Sequence, residues 1–527
     1  MREDMERIER RISAVVCIAM CVIGIAVQIA TTLLLTAYLR DKAGYVYLIL
    51  QLLAFICSIF IYQRPGSPSF RLAWICLLIA SPVAGMILFL LWGGIKQAKN
   101  LSLKKIPPMT PNEIEQKQCE QNLKILRDIS PAWGRLAAYL IKRDNLLYNR
   151  TKARYFPDGS AFFRDLIQNL NHARRYIFLE YFILAEGEIW DKIFQILKQR
   201  AAAGVGVYII FDDFGNLFRF SGKSLKAVQD AGIHVGTFNP VHHSIPRAYF
   251  NYRDHRKIAV IDGVTAYTGG INLADEYANL IERYGHWKDT GIRIDGAGAW
   301  GFAAMFIRMW KRLGRAFPHP DDYYRACPEI SPDNKNNNQQ ISGFCQPFSD
   351  GPRRRPDHPI EEIYLQLISS AQRVLYITTP YYAVEDAMQE ALCIAADAGV
   401  DVRLCVPAIP DHKLVYLAGE TYWGELLKHG VRIYRYTPGF LHAKSVLADR
   451  EVALIGTTNM DYRTFQLHYE CGVLLYHMPV IENLYQDFIN LFQTGQEYTL
   501  EDWRDWKKRP LSRRIIGMLI KLGAIWL

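Results

Sequence analysis

The chain contains the sequence DHRKIAVID at residues 254–262 and the similar sequence LHAKSVLAD at residues 441–449. Both read His-x-Lys-x4-Asp, and each is followed by an apolar segment, a Gly-containing turn and an Asn. A His and a Lys two positions apart on a strand project to the same face of a sheet. Each copy therefore presents an imidazole beside an ammonium group. One such motif arises by chance in some chains, but two copies with matching surroundings indicate a duplicated unit.

The duplication extends to the sequence around the two motifs. The segment YFPDG at 155–159 corresponds to PFSDG at 347–351, and ARRYIFLEYF at 173–182 corresponds to AQRVLYITTPY at 371–381. In each unit, apolar strands alternate with helical segments. This alternation predicts an α/β fold in which helices flank a mixed β-sheet, with the two units related by a pseudo-twofold axis.

The predicted chain organisation has six segments. They are a membrane anchor of two to three helices at 1–95, a linker and a helix at 96–134, a first domain at 135–316, a polar linker at 317–340, a second domain at 341–510, and a basic amphipathic helix at 511–527. The last segment suits either a membrane surface or packing of its apolar face on the domain.

The anchor is predicted from three apolar stretches, about Ile12–Leu39, Tyr45–Tyr62 and Leu72–Trp92. Each is near or above the length that crosses a bilayer, and none carries a charge inside. The second stretch is short enough to be re-entrant instead. If all three stretches cross, the Lys and Arg residues divide equally between the two sides, so charge alone leaves the orientation open.

Composition restricts the partner and the redox state. The net charge of +10 suits an anionic partner, either membrane lipid or nucleic acid, and the apolar stretches favour lipid. None of the ten cysteines forms a Cys-x2-Cys pair. This pattern indicates reduced, buried thiols rather than a disulfide framework or a zinc site.

Each half supplies a set of groups suited to phosphoryl transfer. A His that attacks phosphorus needs a lone pair on one ring nitrogen and an acceptor that orients the other. Cations and hydrogen-bond donors must surround the nonbridging oxygens. One imidazole would be the nucleophile, while the other exchanges protons with the leaving and entering hydroxyl groups. The candidates are His255, Lys257 and Asn272 in the first half, and His442, Lys444 and Asn459 in the second.

Four acidic residues complete the expected site. Asp289 and Glu470 occupy matching places two residues before a Gly, and we expect each to accept a hydrogen bond from an imidazole NH. Asp262 and Asp449 end the two motifs and belong to the catalytic set, where we expect them to hold the turn rather than touch substrate. Because the lysines neutralise the phosphate and no residue cluster has metal-ligand spacing, we expect neither a metal ion nor a cofactor.

The duplicated motif, with its downstream Gly residues and Asn, resembles the phospholipase D superfamily. The finer resemblance is to bacterial cardiolipin synthases, through SPVAGMILFLLWG at 81–93, TPYY at 379–382 and NMDYRT at 459–464. It implies two tandem phospholipase D-like domains and phosphatidyl transfer between two phosphatidylglycerol molecules. The products would be cardiolipin and glycerol, formed through a phosphohistidine on His255 with His442 as acid and base. Family members commonly have two spans rather than three, and Thr464 stands where Ser is usual.

Two alternatives remain at this stage. The first is a phospholipase D-type hydrolase, or a phosphatidyltransferase with another acceptor, because the acceptor depends on pocket shape and water exclusion. The second is a noncatalytic lipid-binding membrane protein. The expected partners are phosphatidylglycerol and membrane lipids, with no nucleic acid. The expected location is the cell membrane, multi-pass, with cytoplasmic catalytic domains, while acyl-chain preference and oligomeric state stay open.

Overall fold

The structure is a computed structural model, and it describes residues 42–64, 67–92, 113–240, 252–315, 343–352 and 359–507, with a few residues between 26 and 38. Two mixed sheets, each flanked by helices, form two halves of the same architecture. The predicted α/β class is therefore confirmed. The linker part of the predicted segment 96–134, up to about Pro111, the predicted linker at 317–340 and the predicted helix at 511–527 lie outside the described residues.

The helices and strands follow in chain order. Before the first sheet lie α1 (Ala43–Tyr62), α2 (Pro68–Ala80), α3 (Pro82–Trp92), α4 (Glu113–Ile129) and α5 (Pro131–Ile141). The first half contains β1 (Thr151–Phe156), α6 (Gly159–Asn171), β2 (Tyr176–Tyr181), α7 (Glu188–Ala202), β3 (Gly206–Asp212), α8 (Asp213–Asn216), α9 (Gly222–Asp230), β4 (His234–Phe238), β5 (Arg253–Asp254), β6 (Lys257–Ile261), β7 (Thr265–Gly269), a 3-10 turn (Asp275–Ala278), β8 (His286–Lys288), β9 (Gly291–Gly296) and α10 (Ala297–Arg312).

The second half repeats this order. It contains β10 (Phe344–Asp350), α11 (Pro359–Ser370), β11 (Val374–Thr378), β12 (Tyr382–Ala383), α12 (Asp386–Asp397), β13 (Asp401–Pro407), α13 (Lys413–Lys428), β14 (Arg432–Tyr436), β15 (Gly439–Leu441), β16 (Ser445–Ala448), β17 (Val452–Gly456), β18 (Met460–Asp461), α14 (Tyr462–Leu467), β19 (His468–Tyr476), α15 (Val480–Thr494), β20 (Gln496–Tyr498) and α16 (Leu500–Lys507).

The two sheets share an order of seven strands, to which the second adds β20. The first runs β1-β9-β7-β6-β2-β3-β4, and the second runs β10-β19-β17-β16-β11-β13-β14-β20. In both, three neighbouring strands are parallel, because helices connect them, and the strands that carry the His-x-Lys motifs pair antiparallel beside them. The sequence repeat is therefore a repeat of topology.

The central strands are largely apolar because both faces of each sheet are covered. Strands β2 and β17 are buried at every position. One apolar cluster joins the two halves: it contains Phe178 and Phe306 of the first, stacked with centroids 4.5 Å apart, and Phe488 and Leu491 of the second. This shared core fixes the position of one half relative to the other.

Helices α4 and α5 precede the first domain in the chain but pack on the second sheet. Cys119, Leu126, Trp133 and Leu140 belong to the same apolar cluster as Phe344 and other residues of the second half. The predicted boundary at residue 135 falls inside α5 and assigns its end to the first domain. The boundary is wrong at this point because sequence order does not show which sheet a helix covers.

The anchor differs from the prediction. Among the described residues, α1 is the one helix long and apolar enough to cross a membrane. Its large side chains face outward, Leu48 being 65% and Phe60 63% exposed, as suits contact with lipid rather than water. The predicted span Leu72–Trp92 is instead divided into the two shorter helices α2 and α3. The stretch Ile12–Leu39 lies mostly outside the described residues, so the structure supports membrane association but not a multi-pass anchor.

Candidate active site

Two short strands cross between the halves and carry the motif histidines with them. β5, which precedes His255, pairs parallel with the start of β19, and His255 N donates to Tyr469 O at 2.9 Å. β15, which precedes His442, pairs parallel with β8, and His442 N donates to Lys288 O at 2.7 Å. Each histidine is therefore held beside an acidic residue of the other half, Glu470 within β19 or Asp289 directly after β8.

His255 pairs with Glu470 of the second half. Its Nδ1 lies 2.9 Å from Glu470 Oε1 and 3.1 Å from Oε2, and Thr457 Oγ1 also donates to this carboxylate. Burial raises the pKa of Glu470 well above its ordinary value, although Lys257 and Thr457 oppose the shift. Burial is also the main cause that lowers the pKa of His255, followed by the charges of Lys257, His468, Lys444 and His442.

His442 pairs with Asp289 of the first half. Its Nδ1 lies 2.7 Å from Asp289 Oδ2, and the Asp289 side chain is fully buried. Three aromatic rings surround the imidazole, with centroids at 5.4 Å (Tyr277), 5.5 Å (Trp287) and 5.7 Å (Phe440). Burial and the charge of Lys444 lower the pKa of His442 to about 4, although Asp289 opposes them.

A carboxylate bound to Nδ1 sets the tautomer of each imidazole. When Nδ1 donates its proton to the ionised Glu470 or Asp289, Nε2 keeps its lone pair. With their pKa values lowered, both rings are neutral near pH 7. Each is therefore ready to attack phosphorus or to accept a proton through Nε2.

The two motif lysines are buried, and each bonds to the histidine of its own motif. Lys257 Nζ donates to His255 O at 2.6 Å, and Lys444 Nζ donates to His442 O. Burial lowers the pKa of Lys257 to about 8 and that of Lys444 to about 7. An anionic phosphodiester would stabilise both ammonium groups, which are the positive charges that the reaction needs at the nonbridging oxygens.

The two motif asparagines differ in how they are bonded. Asn272 Oδ1 accepts from Ile183 N at 3.0 Å, and its Nδ2 donates to Tyr277 Oη at 2.7 Å. Asn459 is also buried, but its Oδ1 has no hydrogen-bond partner among the described residues. Asn272 therefore bonds within the first half, whereas the amide oxygen of Asn459 remains without a partner among the described residues.

Asp262 and Asp449 do not belong to the reacting groups. Asp262 accepts from the backbone N–H of Arg174, Arg175 and Tyr176, and Asp449 does the same at the start of β11. Both lie at the far end of the motif strand from the histidine and have positive φ, 53° and 55°. Their grouping with the catalytic residues is corrected: they close the turn and begin the neighbouring strand.

His468 is a residue near the reacting groups that the sequence comparison did not single out. Its ring lies 5.5 Å from that of His255, the same separation that joins Trp287 to His442, so it takes the place of Trp287 in the second half. The signal was available, because His468 and Trp287 each stand two residues before the site acid. His255, His468 and Glu470 also offer ligand atoms within 4.8 Å of one another, which is a possible metal site.

Comparison with known proteins identifies the family to which this site belongs. Residues 166–283 and 364–492 match the family described as cardiolipin synthase, PLD-like domain, and residues 52–94 match a phospholipase D-nuclease N-terminal family. Cardiolipin synthase 2 of Bacillus cereus is 32% identical over 89% of this chain and 89% of its own length. The major cardiolipin synthase ClsA of Bacillus subtilis is 31% identical over 89% of this chain and 95% of its own.

The chain belongs to the cardiolipin synthase family. The predicted resemblance, the enzyme class and the cardiolipin synthase function are thereby confirmed. A solved structure, the phosphatidylserine synthase of Haemophilus influenzae, shares the fold at a TM-score of 0.53 and 16% identity, over 71% of this chain and 95% of its own. The chain is accordingly a phosphatidyltransferase.

Proposed function

We propose that the enzyme uses phosphatidylglycerol as both donor and acceptor and works through a phosphohistidine on His255. The observation that carries the proposal is the crossed pairing of two neutral imidazoles, each bound at Nδ1 to a buried acid of the other half. Such pairing leaves two Nε2 lone pairs for one phosphate. One ring alone would suit proton transfer, but two rings suit a two-step exchange.

In the first step, His255 Nε2 attacks the phosphorus of phosphatidylglycerol. A P–N bond forms, the P–O bond to the headgroup glycerol breaks, and His442 gives its Nε2 proton to the leaving oxygen. The negative phosphodiester favours this proton on His442, although the pKa of the ring in the free protein is only about 4. Lys257 and Lys444 balance the charge on the nonbridging oxygens.

In the second step, a hydroxyl of a second phosphatidylglycerol attacks the same phosphorus. His442 takes the hydroxyl proton, the new P–O bond forms, and the P–N bond to His255 breaks. Cardiolipin and the glycerol from the first step are the products, and both histidines return to their starting state. If water enters instead, the product is phosphatidic acid, so the acceptor decides between synthase and hydrolase.

Membrane lipids are the proposed partners because the substrates reside there and α1 presents apolar side chains outward. No metal ion enters the proposed steps. The charges at the phosphate come from the two lysines, and a metal at His255, His468 and Glu470 would compete with the bond that orients His255.

The test is to incubate the purified protein in detergent with phosphatidylglycerol alone and a chelator, and to identify the products. Cardiolipin with released glycerol supports the proposal, and phosphatidic acid alone would turn it to hydrolysis. His255→Ala and His442→Ala should each lose at least ~1000-fold in rate. His429→Ala is the matched control, since His429 forms a similar pair with Asp397 at 2.7 Å but on the surface. Near-normal transfer in either site variant contradicts the two-histidine mechanism.

A further inference from the structure

Helices α2 and α3 form a hairpin rather than one bent helix. Gly85 of α3 lies so close to α2 that a Cβ there would be 2.9 Å from both Leu77 O and Leu78 Cα. Trp74 of α2 and Phe89 of α3 meet edge to face, with ring centroids 5.2 Å apart. Residues that far apart in a straight helix would be separated by ~22 Å. The chain therefore reverses direction between the two helices.

The tip of this hairpin reaches about half-way along α1. Gln51 Nε2, near the middle of α1, donates to Ile79 O at the end of α2 over 3.3 Å. Arg71 Nη1, near the start of α2, donates to Tyr62 O at the end of α1 over 2.6 Å. With its 20 residues, α1 is ~30 Å long, which is about the thickness of the hydrocarbon core. When α1 crosses a bilayer, the tip lies near the bilayer centre.

Both ends of the hairpin lie on the side of the catalytic domains. At its start, Ser69 Oγ is 2.9 Å from Tyr462 Oη of α14, and Ala73 belongs to the core of the second domain. At its end, Phe89 lies under the guanidinium of Arg64, 5.0 Å from the ring centroid and beside the end of α1. The end of α3 has thus returned to the level from which α2 began.

The chain that follows α3 also indicates that the hairpin ends on the side of the catalytic domains. Helix α4 packs in the core of the second domain through Cys119 and Leu126. Between α3 and α4, residues 93–112 contain four lysines and three prolines and no apolar stretch long enough to cross a bilayer. If residues 68–92 crossed as one span, the chain would have no segment with which to return to its own catalytic domain.

We propose that residues 68–92 are a re-entrant hairpin, which dips into the bilayer from the side of the catalytic domains and holds the site at the membrane surface. The outer surface of the hairpin contacts the lipid bilayer, since Leu72, Ile79, Ile87 and Leu90 point outward with 46–80% exposure. Tyr462, to which the hairpin is fastened, follows Asn459 of the site by three residues. The site is therefore kept at headgroup level, where lipids reach it without leaving the bilayer.

The hairpin also resolves the orientation. With both of its ends on one side, that side receives Arg64, Arg71, Lys96, Lys99, Lys104 and Lys105, whereas the other end of α1 has Arg40 and Lys42. Among residues 40–105 the bias is six to two, and if the stretch Ile12–Leu39 also crosses, Arg2, Arg7, Arg10 and Arg11 join the larger group. The side richer in Lys and Arg is the cytoplasmic one. The catalytic domains accordingly face the cytoplasm.

Single cysteines test the topology without reference to activity. Gln63→Cys, Gln97→Cys and Lys42→Cys are introduced one at a time into the full chain, and a membrane-impermeant maleimide is applied to spheroplasts and to inverted vesicles. The unaltered chain supplies the background labelling. We expect positions 63 and 97 to react only in inverted vesicles and position 42 only in spheroplasts. Reaction of 63 and 97 from opposite faces overturns the re-entrant hairpin, and reaction of all three from one face overturns the crossing by α1.

A pair of glycine variants tests the role of the hairpin, and this part rests on the proposed function. Gly85→Ala forces α2 and α3 apart, whereas Gly44→Ala in α1 adds a methyl group with nothing within 4 Å. We expect Gly85→Ala to lose at least fivefold in cardiolipin formation on phosphatidylglycerol vesicles and Gly44→Ala to match the unaltered enzyme. Equal activity of both variants overturns the anchoring role. If the unaltered enzyme makes no cardiolipin, the proposed function fails while the labelling result still stands.

Discussion

The substitution Asp289→Asn is expected to inactivate the site through the tautomer of His442. Asp289 Oδ1 accepts from Thr290 N at 2.8 Å, and its Oδ2 accepts from His442 Nδ1 at 2.7 Å. In the variant, the bond from Thr290 N requires the amide oxygen at the first position, so the amide nitrogen faces His442. Nδ1 must then accept, and its proton moves to Nε2, the atom that has to exchange protons with the alcohol.

The loss of the negative charge of Asp289 sets the size of the expected fall in turnover rate. The carboxylate stabilises the imidazolium that forms during transfer, and at ~4 Å between charge centres with an effective dielectric of ~20 this is worth ~4 kcal/mol. At ~1.4 kcal/mol per factor of ten, we expect the turnover rate to fall ~1000-fold. The apparent affinity for phosphatidylglycerol should change little, because Asp289 is fully buried behind His442 and acts through the protonated ring.

The assay is the initial rate of cardiolipin formation at saturating phosphatidylglycerol, with the melting temperature measured in parallel. Asp295→Asn is the matched control, because Asp295 also pairs with a cation, Arg293 at 2.9 Å, but lies outside the site. A folded Asp289→Asn enzyme that retains turnover within ~3-fold of the unaltered enzyme would refute the reasoning.

The remaining predictions concern pH and stability. In the free enzyme, burial lowers the pKa of His255 well below its ordinary value and that of Lys444 to about 7, so kcat/KM should rise as His255, the nucleophile, loses its proton and fall as Lys444 loses its charge. Lys444→Arg should move the alkaline limb upward, and an unmoved limb in a pH–rate series would assign it elsewhere. Lys288 Nζ binds Asp487 at 2.7 Å across the interface between the halves. Lys288→Met should lower the free energy of unfolding by ~3–5 kcal/mol, because it leaves the buried charge of Asp487 unpaired. In a denaturant titration, the double variant with Asp487→Leu should regain part of this stability. Asp449→Asn should lower stability by ~1–3 kcal/mol but leave the rate per folded molecule unchanged, and a lost rate at full stability would return Asp449 to the catalytic residues.

The sequence was sufficient for the duplication, the α/β class and the two His-Lys pairs. These features are local: the alternation of strands and helices repeats along the chain, and two side chains two positions apart on a strand share a face whatever surrounds them. Asp289 and Glu470 could also be named from their matching places. Their function as hydrogen-bond acceptors follows from chemistry, because a neutral imidazole needs an acceptor at one ring nitrogen to fix its tautomer.

Tertiary structure decided which acid meets which imidazole. His255 and Glu470 are separated by 215 positions and His442 and Asp289 by 153, and only the crossing of β5 and β15 between the halves pairs them. The hairpin of α2 and α3 is a similar case. Hydropathy counts apolar residues but not reversals of direction, and the reversal depends on a close approach at Gly85 and on the fastening of α2 to the second domain. Contacts between distant positions are set by packing, and no local sequence pattern specifies packing.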